Sequence, residues 1–336
     1  MMRPKLAFAL RADKTRHVFE ADAMERLRTC CEVISETPIE NFSDPGARNV
    51  LEAAEILVTG WGCPMLTPDV LRAAPNLRLI AHAAGTVKFT VDASAYGRGI
   101  HVTHAAEANA VPVAEFTLAA ILFANKRTFE LRDLYRADPS RRSSYALMDA
   151  NIGNFRRTIG LVGASRIGRK VASMLAGFDF TVILYDPFVQ AGDPVTDYAE
   201  LVDLDVLMAR ADLVSVHAPS LPSTRGMIGS RQLKLMREGA GFINTARGAL
   251  IDEAALLAEL QTGRIHAVID VTDPEIPEAG SPFFALPNVF LTPHIAGAIG
   301  TERARLGLMA VEEVERFVRG EPMLYEIAPE LLERLA

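Results

Sequence analysis

Residues 158–187, TIGLVGASRIGRKVASMLAGFDFTVILYDP, constrain the fold more than any other stretch of the chain. Ile159, Leu161 and Val162 form a short apolar run of the kind found in strands covered on both faces. Gly163, Ser165 and Gly168 then punctuate a turn. From Arg166 onward, Ile167, Val171 and Leu175 recur at helical spacing. Residues 181–185 are a second apolar, β-branched run, and Asp186 stands at its end. The order predicts strand, tight turn, helix and strand, closed by an acid.

This unit resembles the Rossmann dinucleotide fingerprint, G-x-G-x-x-G followed by an acid about 20 residues on. The resemblance implies a turn whose main chain approaches a pyrophosphate, and a helix start at Arg166 and Ile167 that offers free amides and a positive dipole end. Asp186 would accept hydrogen bonds from ribose hydroxyls and repel a 2′-phosphate, favouring NAD over NADP. One letter departs from the pattern. Ser165 stands at the middle glycine, where its Cβ could push the dinucleotide outward or its hydroxyl could bond a phosphate oxygen. A Rossmann-like unit with an unused turn is the blander reading.

The chain of 336 residues is too long for one ordinary domain and suits two. Its 49% hydrophobic and 23% charged content is that of a globular protein. A net charge of −7 without a long basic run argues against nucleic acid as a partner. Cys30, Cys31 and Cys63 are odd in number and lack C-x-x-C spacing, so neither a disulfide framework nor a metal site is expected, and a reduced cytoplasmic setting fits. The apolar run near the N-terminus is too short for a signal peptide. No stretch is expected to reach the roughly 18 apolar residues of a membrane helix.

Strands are expected at 5–10, 33–34, 56–58, 79–82 and 100–103, with a helix at 21–31, as a small α/β layer. A turn at Gly85 and Thr86 would leave backbone amides free. A long apolar helix is expected at 113–126, opened by Pro112. Residues 129–155 are polar and Arg-rich without a clean period. Beyond the fingerprint, strands are expected at 212–217, 240–244, 265–269 and 289–291. A helix at 252–262 begins at an acid and ends at Gly263. Such alternation is the pattern of a doubly wound parallel sheet, in which ligands sit outside the carboxyl ends of the strands. Arg247, Asp270 and His294 each fall just past one. A last amphipathic helix at 301–319 would make the N-terminal domain discontinuous if it returned to the first layer. The expected domains are 1–106 with 299–336, and 107–298.

Four segments carry a wider resemblance. Ile100, Val102, Thr103, Ala105, Asn109, Ala110, Val113, Ala114 and Glu115 match one motif, and INTARGALIDEAALLAEL, IDVTDPEIP and LTPHIAGA match three more. Together they resemble the D-isomer-specific 2-hydroxyacid dehydrogenases, the phosphoglycerate dehydrogenase and glyoxylate/hydroxypyruvate reductase group. The resemblance implies two Rossmann-like α/β domains with doubly wound parallel sheets flanking a cleft, the N-terminal one discontinuous. It implies NAD, a small 2-hydroxy or 2-keto acid, and a homodimer. Residues 129–155 would wrap the sister subunit, or form a charged surface loop. By resemblance Arg247, Glu275 and His294 are catalytic. Gly85, Thr86, Val87 and Lys88 would hold the substrate carboxylate with Arg247. Asp270 would accept from the nicotinamide carboxamide, and Thr86, Ala218, Pro219, Thr245, Ala246 and Gly297 would line the cofactor.

The chemistry suits those residue types. Oxidising a 2-hydroxy acid removes the hydroxyl proton as a hydride leaves C2, and a histidine, with an ordinary pKa of about 6.5, suits the proton step. A carboxylate beside it favours the imidazolium and orients the ring. The planar arginine fork matches a carboxylate better than lysine does. The hydride chemistry is the cofactor's own. Taken singly, Arg247 could be an ion-pair residue, His294 a strand-end cap and Glu275 a solvated loop residue.

His101 and His104 are expected on opposite faces, a poor metal pair. His82 could line the cleft, and His217 is expected beside the adenine. Trp61 could close over substrate or pack between layers. Ile299 stands where the family often has threonine, and the family's tryptophan before the fingerprint is missing, with Tyr145 nearby. A non-catalytic NAD(H)-sensing binding protein of the corepressor type is the alternative. A net acidic chain without a basic arm does not suggest a chromatin role, and Glu275 argues against a formate dehydrogenase.

Overall fold

Strands covered on both faces read as continuous apolar runs, and the first sheet is made of such runs. The structure, a computed structural model, describes residues 3–334. Its first five strands are β1 (Lys5–Ala9), β2 (Glu32–Val33), β3 (Ile56–Thr59), β4 (Leu79–His82) and β5 (His101–His104). Every residue of β3 and β4 is buried. The sheet is parallel throughout, in the order β2-β1-β3-β4-β5. That is the flavodoxin-like order rather than the Rossmann one.

One face of this sheet is covered by Ala47, Leu51 and Leu71 from two short helices. The other face receives helix Ala21–Cys30 and helix Ala304–Arg319, which insert Leu27, Val311 and Val314 against Leu6, Ile56 and Leu79. Gly307 permits the approach of the last helix, since a Cβ there would stand 1.7 Å from the Val18 carbonyl oxygen. The C-terminal helix thus belongs to the first layer. The chain divides into one unit made of residues up to Ala110 with those from Ala298 onward, and a second unit, Val111–Gly297.

The second unit carries β6 (Thr158–Val162), β7 (Thr181–Tyr185), β8 (Glu200–Leu201), β9 (Leu213–Val216), β10 (Gly241–Asn244), β11 (His266–Ile269) and β12 (Val289–Leu291). They run parallel in the order β12-β11-β10-β9-β6-β7-β8. This is the Rossmann order with one strand added beyond the sixth, and its topological switch point lies between β6 and β9. The fingerprint turn follows β6, so the ligand-binding crevice of the fold falls on the glycine turn.

Three expectations from the sequence give way. Helix Ala106–Asn125 starts earlier than expected and holds Pro112 in its interior, where the ring removes the bond to the Ala108 carbonyl. This helix is long and apolar enough to cross a membrane by length and composition. Its Ala114, Ala120, Ile121 and Ala124 instead pack on Ile159 and Leu161 of the second sheet. Residues 129–155 are largely helical, with helices Thr128–Ala137 and Arg142–Met148. Phe129 stacks flat on Phe290 there, with ring centroids 3.7 Å apart.

Trp61 packs with Ala298 and Leu306 inside the first unit, and the Arg303 guanidinium lies 5.4 Å over its ring. His101 is exposed and paired with Glu326 at 2.6 Å, whereas His104 is buried, so the two lie on opposite faces of β5. Among the described residues no group of three His, Cys, Asp or Glu side chains is placed to hold a metal. The three cysteines are free thiols.

Candidate active site

Three loops follow β10, β11 and β12, and each is tied by a side chain at the strand end. After β10, the Asn244 Oδ1 accepts from the Ala246 amide at 3.1 Å and its Nδ2 donates to the Arg247 carbonyl at 3.0 Å. The next residue must be glycine, because a Cβ at Gly248 would stand 2.1 Å from the Thr272 carbonyl carbon. After β11, the Thr272 hydroxyl donates to the Pro274 and Glu275 carbonyls at 2.8 and 3.2 Å. The corner at 247–248 therefore stacks directly on the loop that carries Glu275.

Asp270 ties the third loop. Its buried carboxylate accepts from the Thr292 hydroxyl at 2.6 Å, the Ile295 amide at 2.8 Å and the Ala296 amide at 2.9 Å. Its carbonyl accepts from the His294 amide at 2.9 Å. His294 is held at φ 55°, a left-handed conformation uncommon outside glycine. Its Nδ1 then hydrogen-bonds the Glu275 Oε1 directly. An ionised carboxylate only accepts, so Nδ1 carries the hydrogen and Nε2 is left for an incoming oxygen. Both side chains stay about half exposed, at 45% and 54%.

Arg247 completes the group. Burial pulls the pKa of its guanidinium down, and the nearby Glu275 carboxylate opposes that pull. A guanidinium remains charged under such a shift. One of its nitrogens donates to the Ala246 carbonyl at 2.7 Å. The structure therefore gathers Arg247, Glu275 and His294 at the carboxyl ends of three neighbouring strands. Asp270 contributes something the sequence did not signal, the shape of the histidine loop.

The turn after β6 is set by close approach. Gly163 has φ 103°, and a Cβ there would meet the Ala218 amide nitrogen at 2.5 Å. A Cβ on Gly168 would meet the Gly163 carbonyl oxygen at 2.1 Å. Ser165 has φ −64° and ψ 177°, which any residue adopts, so its backbone needs no glycine. Its hydroxyl caps helix Arg166–Leu175 by accepting from the Gly168 amide at 3.4 Å. Asp186 reaches back over the turn, accepting from the Ala164 amide at 2.7 Å and from the Phe188 amide at 2.8 Å. Arg169, which sequence spacing did not mark, braces the same turn by donating to the Ala164 carbonyl at 2.9 Å. Asp193 anchors that arginine, and the pairing holds the Asp193 carboxyl down at about 2.

His217 lies under this turn, fully buried, with Nε2 3.0 Å from the Ser215 hydroxyl. Burial pushes its pKa down to about 3, so it is neutral. Its Nδ1 is a buried polar atom without a partner among the described residues. A helix start presenting its positive dipole end, a turn that only glycines allow, and a carboxylate at Asp186 fit a dinucleotide. Ala218 and Ala246 are buried beside them, Pro219 is partly exposed, and Gly297 ends the histidine loop. Thr245 is different, for its hydroxyl is spent on Thr117 at 2.9 Å inside the core.

In the first unit, the turn after β4 keeps the amides of Gly85, Thr86 and Val87 without acceptors among the described residues. The Lys88 amide turns inward to the Thr86 hydroxyl at 3.4 Å. The Val87 side chain is wholly buried, so its amide is what the turn offers at that residue. Gly85 rests on Asn109, whose Oδ1 also accepts from the Ala298 amide at 3.1 Å.

The family model for the D-isomer specific 2-hydroxyacid dehydrogenase NAD binding domain matches residues 118–296. The chain belongs to the D-2-hydroxyacid dehydrogenase family. It is 37% identical over 255 residues to the D-3-phosphoglycerate dehydrogenase of Mycobacterium leprae, a match covering 75% of this chain and 47% of that one. It thus spans about half the length of that relative. It is 34% identical over 278 residues to the glycerate dehydrogenase of Methylorubrum extorquens, covering 81% of this chain and 85% of that one. A solved 2-hydroxyacid dehydrogenase from Ketogulonicigenium vulgare Y25 aligns with a TM-score of 0.77 at 25% identity, covering 98% of this chain and 99% of that one. Within this family the second unit is the nicotinamide-cofactor domain, and the fingerprint turn, with serine in place of its middle glycine, lies inside it.

Proposed function

We propose that the chain is an NAD(H)-dependent dehydrogenase that interconverts a small D-2-hydroxy acid and its 2-keto acid. The observation that carries this reading is the direct bond from His294 Nδ1 to Glu275, beside Arg247, within an NAD-binding unit. The nicotinamide supplies the hydride when bound. Arg247 binds the substrate carboxylate and polarises the carbonyl at C2. His294 donates its Nε2 proton to that oxygen during reduction and takes it back during oxidation. Glu275 fixes the ring and stabilises the imidazolium. The amides of Gly85, Thr86 and Val87 are assigned to the substrate carboxylate.

The cofactor is assigned to the Gly163–Gly168 turn, Asp186, Ala218, Pro219, Ala246, Gly297 and the main chain near Thr86 and Thr245. Asp270 was expected to serve the nicotinamide carboxamide. Its oxygens already hold three donors of the histidine loop, so a carboxamide would share a remaining lone pair. The test is a panel of 2-keto acids, from glyoxylate and hydroxypyruvate to bulkier acids, with loss of NADH absorbance as readout. Turnover of at least one is expected. Tight NADH binding with no turnover of any would return the sensing-protein alternative.

Asp186→Ala is expected to shift the ratio of kcat/KM between NADH and NADPH towards NADPH by about tenfold or more, the worth of a hydrogen bond to a charged group. The same variant should raise KM for both cofactors, because the Ala164 amide loses its acceptor. A wild type that already prefers NADPH would overturn the NAD assignment. We also infer a homodimer. Phe123, Tyr135, Tyr145, Met148 and Phe155 are all exposed on one stretch of the second unit. Burial of these side chains against a second copy would remove their apolar surface from water. Equilibrium sedimentation should return twice the chain mass.

A further inference from the structure

The loop that carries Glu275 is anchored by a residue that the reading above does not use. Glu253 opens helix Glu253–Gln261, and its Oε2 accepts from the Asp273 amide at 2.7 Å. Asp273 stands just ahead of Glu275, with Pro274 between them. The Asp273 carboxylate in turn accepts from the Arg225 guanidinium at 2.7 Å. Glu253, Asp273, Glu275 and His294 all belong to the second unit.

We propose that Glu253 is a positioning residue for the acid–base pair, holding the Asp273 main chain so that the Glu275 carboxylate stays in register with the His294 ring. This inference rests on the dehydrogenase reading above.

The Glu275 side chain is about half exposed, so packing does not fix it and its place follows from the main chain that carries it. The Thr272 hydroxyl draws the Pro274 and Glu275 carbonyls towards the end of β11. Glu253 supplies a second anchor, from a different element. That element is firmly held, for Asp252 caps the helix by accepting from the Ala255 amide at 3.1 Å, and Leu256 and Leu260 are buried in the core. A carboxylate accepting from an amide makes a charge-assisted bond, stronger than a neutral one. The Arg225 pair is exposed and contributes less. The corner that follows Arg247 meets the same amide from another side, since a Cβ on Gly248 would stand 2.5 Å from the Asp273 nitrogen. One amide thus joins the Arg247 corner to the Glu275 loop. An acid in the first turn also suits the helix dipole, which would make Glu253 a purely structural residue.

The test compares Glu253→Ala, Glu253→Asp and Glu253→Gln in the full chain, with NADH and the best keto acid of the panel. Glu253→Asp keeps the charge but is a methylene too short for the Asp273 amide. Glu253→Gln keeps the reach and an acceptor oxygen but loses the charge. In Glu253→Ala kcat should fall about tenfold, the effect of a small misplacement of a reacting group, with the KM for NADH unchanged. Glu253→Asp should lose nearly as much and Glu253→Gln little. A helix-dipole role gives the reverse order, and that order overturns the proposal, as does an unchanged kcat in Glu253→Asp. In a Glu275→Ala background, Glu253→Ala should cost less than about twofold more, because residues that act through one another are not additive. A full tenfold further loss there overturns the proposal. If Glu253→Ala does not fold, Glu253→Asp and Glu253→Gln decide alone. The ring nitrogen resonances of His294 in nitrogen-labelled protein, assigned by their loss in His294→Ala, give a readout without turnover. They should move in Glu253→Asp towards their positions in Glu275→Ala, and stay in place in Glu253→Gln. Identical ring signals in Glu253→Asp and the wild type overturn the anchor, whereas the expected shift in a protein that reduces no keto acid removes the dehydrogenase reading and leaves the anchor standing.

Discussion

His294→Ala is expected to lower kcat for keto-acid reduction by about a thousandfold, within the usual range for losing a general acid, while NADH binds as before. The loop survives this change. Its three ties to the Asp270 carboxylate run through the Thr292 hydroxyl and the Ile295 and Ala296 amides, none of which involves the ring. Alanine meets much the same backbone strain at φ 55° as histidine does, so the substitution removes the acid and little else. Glu275→Gln should give a smaller loss, about ten- to a hundredfold, because the amide oxygen still accepts from Nδ1 but carries no charge to stabilise the imidazolium. Single-turnover kinetics with a fluorescence titration of NADH separates the chemical step from cofactor binding. Reduction near the wild-type rate in His294→Ala would mean that the proton comes from another group.

The parts of the molecule legible in the sequence share one physical cause, a local signal. Residues 79–82 and 289–291 read as strands because short apolar runs between breakers have few other uses, and both are strands at those residues. Asp252 and Gly263 mark a helix because capping is a local bond. Asp252 accepts from the Ala255 amide at 3.1 Å, and Gly263 has φ 75°. Arg247, Asp270 and His294 stood out because a parallel sheet exposes the residues just past its carboxyl edge. Local signals failed elsewhere. Helix Thr128–Ala137 has no buried residue, so no apolar stripe announces it. Pro112 suggested a helix start, but the Ala-rich residues before it favour helix and packing further along offsets one lost bond. Glu275 was reached by resemblance alone. Its position depends on Gly248 stacking on Thr272, a contact between loops far apart in the chain. The hold of Asp270 on the Ile295 and Ala296 amides leaves no trace in residue type.

Arg247→Ala is expected to lower kcat/KM for the keto acid by about thirtyfold to a few thousandfold, since truncating one side of a desolvated charge pair costs roughly 2–5 kcal/mol and the substrate loses its main cation. NADH affinity should not change. Burial lowers the guanidinium pKa without discharging it, so the group arrives partly desolvated and ready for an anion. Its neighbour Glu275 is an acid that would repel the substrate carboxylate once the arginine is gone. Arg247→Lys should recover little of the loss, because an ammonium keeps the charge but not the planar fork that meets two oxygens at once. Free guanidinium added to Arg247→Ala should restore part of the activity, and added alkylammonium should restore less. A purely structural arginine would behave otherwise, with thermal stability falling alongside activity and the KM for NADH rising. The Arg247 side chain donates to the carbonyl of its own neighbour, Ala246, and the loop's other ties come from Asn244 and Gly248, so the loop is expected to keep its shape without the guanidinium. Equal rescue by both cations would show that charge alone matters and that the fork does not.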